Sequence, residues 1–157
     1  MSKNNKIAYI FILSFFLVSC GFKKINQDKS DIYLQNINII GENRLAYLLK
    51  NNILLISDEN AKNIYDIDLK LIETITNKLK DETGKVKRYN TNIDAKLVLK
   101  NNASQEIIKK SFSVNADYKV AESHSETINN KKNASKNIVK QLTNEITTFI
   151  QLTSKIK

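Results

Sequence analysis

The chain has 157 residues, and its 25 lysines and arginines exceed its 16 aspartates and glutamates, giving a formal net charge of +9. This length suits one domain with a hydrophobic core of its own, and the single cysteine excludes an intrachain disulfide. The positive charge suits an anionic partner. The abundance of isoleucine, lysine and asparagine is also typical of an A/T-rich genome, so both explanations of the charge stay open.

The chain begins like a bacterial export signal. Residues 1–6 are polar and contain two lysines, and residues 7–18 form an apolar run. This run is too short to cross a bilayer as a helix, which needs about 20 residues. We therefore interpret residues 1–19 as a signal peptide, with a short membrane anchor or a buried helix as the alternatives.

The residues that follow the apolar run resemble the lipobox of bacterial lipoproteins. They are Leu17, Val18, Ser19 and Cys20. The resemblance implies that the Cys20 thiolate is alkylated with diacylglycerol, that the signal is cut before Cys20, and that the new amino group receives a fatty acid such as palmitate. Several acyl chains hold a protein on a membrane, since each buried methylene contributes about 0.8 kcal/mol. A free buried cysteine is the alternative.

Gly21 follows the cysteine where an aspartate would favour retention at the inner membrane. The same resemblance therefore implies a protein anchored by lipid in the cell outer membrane, on its periplasmic side. An exported protein does not ordinarily meet chromosomal DNA, so we do not expect a nucleic-acid partner.

The mature chain is predicted to start with a tether. Residues 20–31 are mostly polar, and we interpret them as a short lipidated tether before one domain over residues 32–157. Residues 32–39 are aliphatic and contain a tyrosine, which is typical of a strand. Gly41 is expected to end this strand.

A helix is predicted next. Leucines recur at helical spacing in residues 42–51, which indicates about three helical turns. Asn51 and Asn52 are expected to end the helix, because asparagine tolerates the left-handed conformation found there. Residues 53–56 are too short to assign alone, and we consider a strand-like return toward the sheet.

Three later segments alternate strictly between apolar and polar residues: 65–71, 89–99 and 112–120. This period of two predicts strands with one wet and one dry face. Ile72 and Glu73 invert the first alternation, which suggests a bulge or a strand that leaves the sheet. Turns are expected at residues 80–85, which include Gly84, and at Asn101-Asn102, so the three strands should form an antiparallel meander.

The end of the chain changes to a helical period. Ala134, Ile138, Leu142 and Ile146 recur every fourth residue and predict a long amphipathic helix over roughly 125–152, with its apolar face toward the sheet. The complete prediction is an α+β fold, a mixed four-stranded sheet with two helices packed on one face, in the order β-α-β-β-β-α.

No pattern of catalytic residues stands out in the sequence. His124 has only serines beside it and is expected to be a solvated group near the start of the last helix. No histidines or cysteines have metal-ligand spacing, and the three glycines are scattered. We interpret Asp66, Asp68 and Lys70 as a solvated strand edge. We therefore predict neither an enzyme nor a cofactor.

The whole arrangement resembles the LptE family of lipopolysaccharide-assembly lipoproteins. The resemblance rests on Cys20-Gly21-Phe22, on the helix-to-strand step ENRLAYLLKNNILLISDENAKNIYDIDLKL at residues 42–71, and on a strand 89–99 followed by a tyrosine-bearing strand and a long helix. It implies a protein that plugs the LptD β-barrel of the outer membrane, assists its assembly and takes part in lipopolysaccharide transport.

The same resemblance implies a lipopolysaccharide site on the loop after the second strand and near the last helix. These stretches contain seven basic residues: Lys78, Lys80, Lys85, Lys87, Arg88, Lys131 and Lys132. Amines and guanidinium groups suit phosphorylated sugars. We select Lys80, Lys85, Arg88 and Lys131 as the candidate group.

Two alternative functions are compatible with the lipid anchor but do not involve a β-barrel partner. The chain is then a carrier of a lipid or lipoprotein, or a pilot protein for a secretion pore. A carrier needs an open apolar cavity, whereas a plug needs a filled core and a polar outer surface.

Overall fold

The computed structural model describes residues 31–155. The predicted signal peptide, the lipidation site Cys20 and nearly all of the predicted tether lie outside the described residues. The elements follow the predicted order: β1 (Ile32–Ile40), α1 (Asn43–Leu54), β2 (Asn63–Lys80), β3 (Val86–Asn101), β4 (Ile107–Lys119) and α2 (His124–Lys155). The predicted order β-α-β-β-β-α is confirmed.

The four strands form one mixed sheet in the order β1-β2-β3-β4. Strand β1 pairs with β2 in parallel, beginning with Ile32 beside Asn63. The parallel pairing follows from the chain path, because α1 carries the chain back before β2 begins. The β2–β3 and β3–β4 pairs are antiparallel, as the predicted meander requires.

One face of the sheet carries the hydrophobic core. The alternating residues of β2 and β3 are buried on this face: Tyr65, Ile67, Leu69, Leu71, Ile93, Ala95, Leu97 and Leu99. Both helices add to the same cluster, α1 with Leu45, Leu49 and Ile53, and α2 with Ile138, Val139, Leu142, Ile146 and Ile150. The two helices therefore cover a single face, which confirms the predicted α+β architecture.

The end of helix α1 differs from the prediction. The helix continues through Asn52 to Leu54, and Ile53 is fully buried. Ile53 lies four residues after Leu49, so it extends the buried stripe of the helix by another turn. The strand-like return considered for residues 53–56 is wrong, because packing of this stripe outweighs the tendency of asparagine to end a helix.

Strand β2 is longer and more regular than predicted. Ile72 pairs with Asp94 and Glu73 with Ile93 without a register shift, so the bulge suggested at these residues is wrong. The irregularities lie further along, between Asn77 and Lys80. The pattern inverts at Ile72 because this side chain is exposed on the outer face of the sheet.

The outer face of the sheet is polar. Asp66 and Asp68 accept hydrogen bonds from the side-chain amides of Asn36 and Asn38, at 2.9 and 3.0 Å. These aspartates lie on an inner strand, between β1 and β3, so their interpretation as a strand edge is wrong. They belong to rows of hydrogen-bonded amides and carboxylates that run across the strands.

Candidate functional site

Three of the four predicted basic residues lie at the end of the sheet formed by the β2–β3 hairpin. Lys80 is the last residue of β2, Lys85 belongs to the turn, and Arg88 lies on β3. We refer to this region, residues 78–88, as the hairpin end. The polar turn between β2 and β3 determines the backbone conformation of the hairpin end.

Asp81 organises this turn. Its Oδ1 accepts hydrogen bonds from the Thr83 hydroxyl at 2.6 Å, the Thr83 amide at 3.0 Å and the Lys85 amide at 2.9 Å. The hydrogen bond from the Thr83 side chain is the main cause that lowers the pKa of Asp81 to about 2, and the Lys87 ammonium, 3.4 Å away, adds to it. The ionised carboxylate therefore holds the turn in one conformation at neutral pH.

Asp117 partly neutralises the hairpin end. Its Oδ2 lies 2.5 Å from Lys78 Nζ and 3.9 Å from Arg88 Nη1. The amide of Asn90 donates to its other oxygen at 2.8 Å and, together with Lys78, lowers the pKa of Asp117. One carboxylate is thus shared between two cations, and Arg88 is less available to a ligand than an unpaired arginine.

Lys131 lies in a different place. It lines a groove of about 260 Å³ with Arg44, Lys132 and Lys136, beside Glu42 and Glu73. A larger groove of about 510 Å³ continues between α1 and α2 and shares Arg44, Leu48 and Lys136 with the first. We refer to the two volumes together as the helix groove.

The helix groove is amphipathic and cationic. The lining of its larger part includes the apolar residues Leu48, Leu55 and Val139 and the cation Lys140. Its five cations are Arg44, Lys131, Lys132, Lys136 and Lys140, and none of them forms an ion pair with another residue in the range 31–155. Glu42 uses its carboxylate to cap α1, where it accepts from two backbone amides. The groove therefore complements an anionic ligand with an apolar part.

The predicted group of four does not form one site. Glu73 lines the helix groove beside Lys131, and Lys80 is seven residues further along β2, about 23 Å at 3.3 Å per residue. Sequence reasoning missed Arg44, Lys136 and Lys140 as members of a site. A signal was present on α2, because Lys132, Lys136 and Lys140 recur every fourth residue and lie along one side of a helix.

His124 is exposed and is the first residue of α2. Residues 31–155 contain no group of three histidines, cysteines, aspartates or glutamates placed to hold a metal ion. Within the same range, no helix is both long and apolar enough to cross a membrane.

Comparison with known proteins finds similarity in fold. No protein-family model and no curated protein sequence matches the chain. A structure from Caulobacter crescentus CB15, proposed to be a lipoprotein, matches with a TM-score of 0.58 at 15% identity, over 81% of this chain and 93% of that one. Rare lipoprotein B from Shewanella oneidensis matches with a TM-score of 0.60 at 14% identity, over 76% of this chain and 94% of that one.

A third solved structure, the uncharacterized lipoprotein B from Nitrosomonas europaea, matches with a TM-score of 0.51 at 15% identity, over 83% of this chain and 92% of that one. The chain therefore shares its fold with three proteins described as lipoproteins or proposed to be such.

Proposed function

We propose that this chain is a lipoprotein anchored in the outer membrane through Cys20, which plugs an LptD-like β-barrel, assists its assembly and takes part in lipopolysaccharide transport to the cell surface. The observation that carries the proposal is the shared fold, which extends over 92% or more of the length of each of the three lipoprotein structures. The lipobox-like residues before Cys20 agree with it. The role is one of binding and assembly rather than catalysis.

The packing of the domain supports a plug. The space between sheet and helices is filled by one cluster of buried side chains, which includes Tyr65, Ile93 and Leu142. The outer face of the sheet carries hydrogen-bonded pairs such as Asn38 with Asp68 and Asn92 with Ser113. A filled core beneath a polar face suits a protein surrounded by the wet interior of a barrel.

The proposal is tested by isolating the full-length protein with a C-terminal tag from detergent-solubilised outer membranes. We expect one large β-barrel protein to accompany it in equal amounts. A Cys20→Ala variant serves as the control and should lose the acyl chains. Recovery of the wild-type protein without a barrel would contradict the plug function.

A carrier function has one observation in its favour. The helix groove is open, has apolar side chains in its lining, and its larger part measures about 510 Å³, which falls in the range of small-molecule sites. If lipid alone accompanies the purified protein in the same experiment, the groove becomes the place to look for it.

A further inference from the structure

Strand β4 leaves one edge of the sheet open. It pairs with β3 along its whole length, and its opposite side has no strand partner in the described part of the chain. Two backbone hydrogen bonds fix which residues face β3. Asn101 donates to Glu106 at one end of the pairing and Val120 donates to Lys87 at the other.

These two bonds identify the free backbone groups. In an antiparallel ladder, hydrogen-bonded pairs alternate with pairs that direct their amides and carbonyls away from each other. The even-numbered residues of β4 therefore bond to β3, and the odd-numbered residues direct their N–H and C=O groups outward. The carbonyl of Lys119 already accepts from the Asn130 side chain at 3.2 Å. The open groups belong to Ile107, Lys109, Ser111, Ser113, Asn115 and Asp117.

An apolar groove runs beside this edge on the core side of the sheet. It measures about 620 Å³ and lies between β4 and helix α2. Its wall contains Phe112 and Phe149, whose rings meet edge to face at 5.9 Å, and Leu152, which is 56% exposed. A strand added to β4 would direct every second side chain into this space.

The charges near the edge indicate what kind of strand fits. Lys109 and Lys110 lie on opposite faces of β4 at its start, and neither forms an ion pair within residues 31–155. Of the acidic groups near this edge, Glu145 lines the groove and accepts a hydrogen bond from Gln141, whereas Asp117 contacts Lys78 and lies seven residues beyond Lys110 along β4. Two unpaired lysines at adjacent positions favour carboxylates on a neighbouring strand.

A second copy of this chain fits this edge poorly. Helix α2 packs mainly on β4. In antiparallel pairing, two copies joined edge to edge would keep their α2 helices on the same face, over strands only about 4.8 Å apart, whereas packed helices need about 8–10 Å. An extended segment that brings no helix of its own meets no such obstacle.

We propose that the free edge of β4 binds an extended acidic segment of a partner protein as a fifth strand, with apolar side chains in the groove formed by Phe112, Phe149 and Leu152 and carboxylates opposite Lys109 and Lys110. This inference goes beyond the proposed function, because it requires no barrel. Failure to recover a barrel leaves it standing, and its own failure leaves the barrel untouched.

The test uses a labelled synthetic peptide in which valines alternate with threonines and two adjacent glutamates lie at each end. Binding to the purified full-length protein, kept in detergent, is followed by fluorescence anisotropy. We expect saturable binding and slower hydrogen exchange at the amides of Lys109, Ser111 and Ser113. A peptide with lysines in place of the glutamates should bind at least about tenfold more weakly, as like charges then face each other.

Two matched pairs of variants locate the site. Ser111→Pro removes an outward amide without touching the ladder to β3, and edge strands tolerate proline at such positions. We expect it to weaken binding at least about tenfold, whereas Ser111→Ala, which keeps the amide, should change it less than about twofold. Lys109→Gln with Lys110→Gln should also weaken binding, and Lys136→Gln with Lys140→Gln should not.

Three outcomes would overturn the proposal. One is equal binding by Ser111→Pro and Ser111→Ala, with the fold of both checked by circular dichroism. If the proline variant fails to fold, equal binding by the two lysine pairs decides against the proposal in the same way. The third outcome is that the β4 amides are protected from hydrogen exchange by self-association in the absence of peptide. This would show that the edge binds a second copy of the chain.

Discussion

Thr91 places an unsatisfied polar atom inside the core. Its side chain is 1% exposed, and its Oγ1 has no hydrogen-bond partner among the described residues. A buried hydroxyl without a partner is less favourable than a methyl group of the same shape. We expect Thr91→Val to raise the free energy of unfolding by about 1 kcal/mol, measured by urea denaturation.

Thr74→Val is the control for this prediction, because Thr74 is exposed on the neighbouring strand β2. It should change the free energy of unfolding by less than about 0.5 kcal/mol. Equal gains at both positions would mean that strand propensity, and not the buried hydroxyl, causes the effect.

Gly41 is required by a close contact. A Cβ atom added to this residue would lie 2.7 Å from Leu71 Cβ, and its φ of +155° is one that L side chains rarely adopt. Gly41→Ala should therefore lower the free energy of unfolding by about 2–3 kcal/mol through overpacking and backbone strain. Gly84→Ala, where nothing lies within 4 Å, should cost only the left-handed strain of about 1–2 kcal/mol.

The comparison of the two glycine variants is made by thermal or urea denaturation. A larger loss at Gly84 than at Gly41 would contradict the role assigned to Leu71. The sequence identified both glycines as breaks, but only the fold reveals that one of them meets a side chain thirty residues later.

At the scale of elements, the β2–β3 turn depends on the ionised form of Asp81. The folded-state pKa of about 2 lies below the ordinary value of 3.8, so this carboxylate stabilises the fold above pH 3.8. The contribution is lost as the pH falls from 3.8 through 2. We expect Asp81→Asn to melt at a lower temperature than the wild type at pH 7. The difference between the two melting temperatures should become smaller toward pH 2.

The measurement is the melting temperature of both proteins across this pH range. Glu82→Gln removes the same charge from the same turn but none of these hydrogen bonds, so its melting temperature should follow the wild type. A gap between wild type and Asp81→Asn that stays constant down to pH 2 would show that another group dominates.

The predicted helices and strands were correct where the hydrophobic period was unbroken. The prediction was wrong where it relied on the preference of a single residue type, as at the end of α1. The strand alternation at residues 89–99 and the stripe from Ala134 to Ile146 led directly to β3 and α2. The end of α1 was assigned too early, because an Asn-Asn pair stops a helix only when no apolar residue beyond it has a core to enter. Ile53 has such a core, and the sequence alone does not reveal it.

At the scale of the molecule, positive charge is divided between the hairpin end and the helix groove. We expect lipopolysaccharide binding to depend more on the helix groove, whose cations form no ion pair within residues 31–155 and border apolar side chains. Neutralising Arg44, Lys131 and Lys136 to glutamine should weaken binding at least about tenfold, since three charged contacts are lost. Lys80, Lys85 and Arg88 changed to glutamine remove the same total charge and should weaken binding less.

Both variants are compared with the wild type by titration with purified lipopolysaccharide at two salt concentrations. Unchanged binding in both would exclude a role for these cations. Equal loss in both would indicate a response to net charge alone.

The candidate site could be predicted only in part, because some of its residues are close together in the sequence and others are far apart. Lys80, Lys85 and Arg88 are close together in the sequence around one turn, so their proximity was foreseeable. The helix groove joins Arg44 to Lys136 across most of the domain, and only the packing of α1 against α2 brings them together. The pairing of Arg88 with Asp117 likewise depends on the register between β3 and β4.

The parallel pairing of β1 and β2 also limits how close the lipidation site Cys20 can come to the hairpin end. Both strands begin at the same end of the sheet, and the hairpin turn lies at the far end of β2, about 55 Å away at 3.3 Å per residue. The eleven residues that join Cys20 to Asp31 span at most about 40 Å, whatever path they take. Residues 20–31 are therefore too short to let the hairpin end reach the lipid attached to Cys20. The length of the domain would keep the lipid and the hairpin end apart.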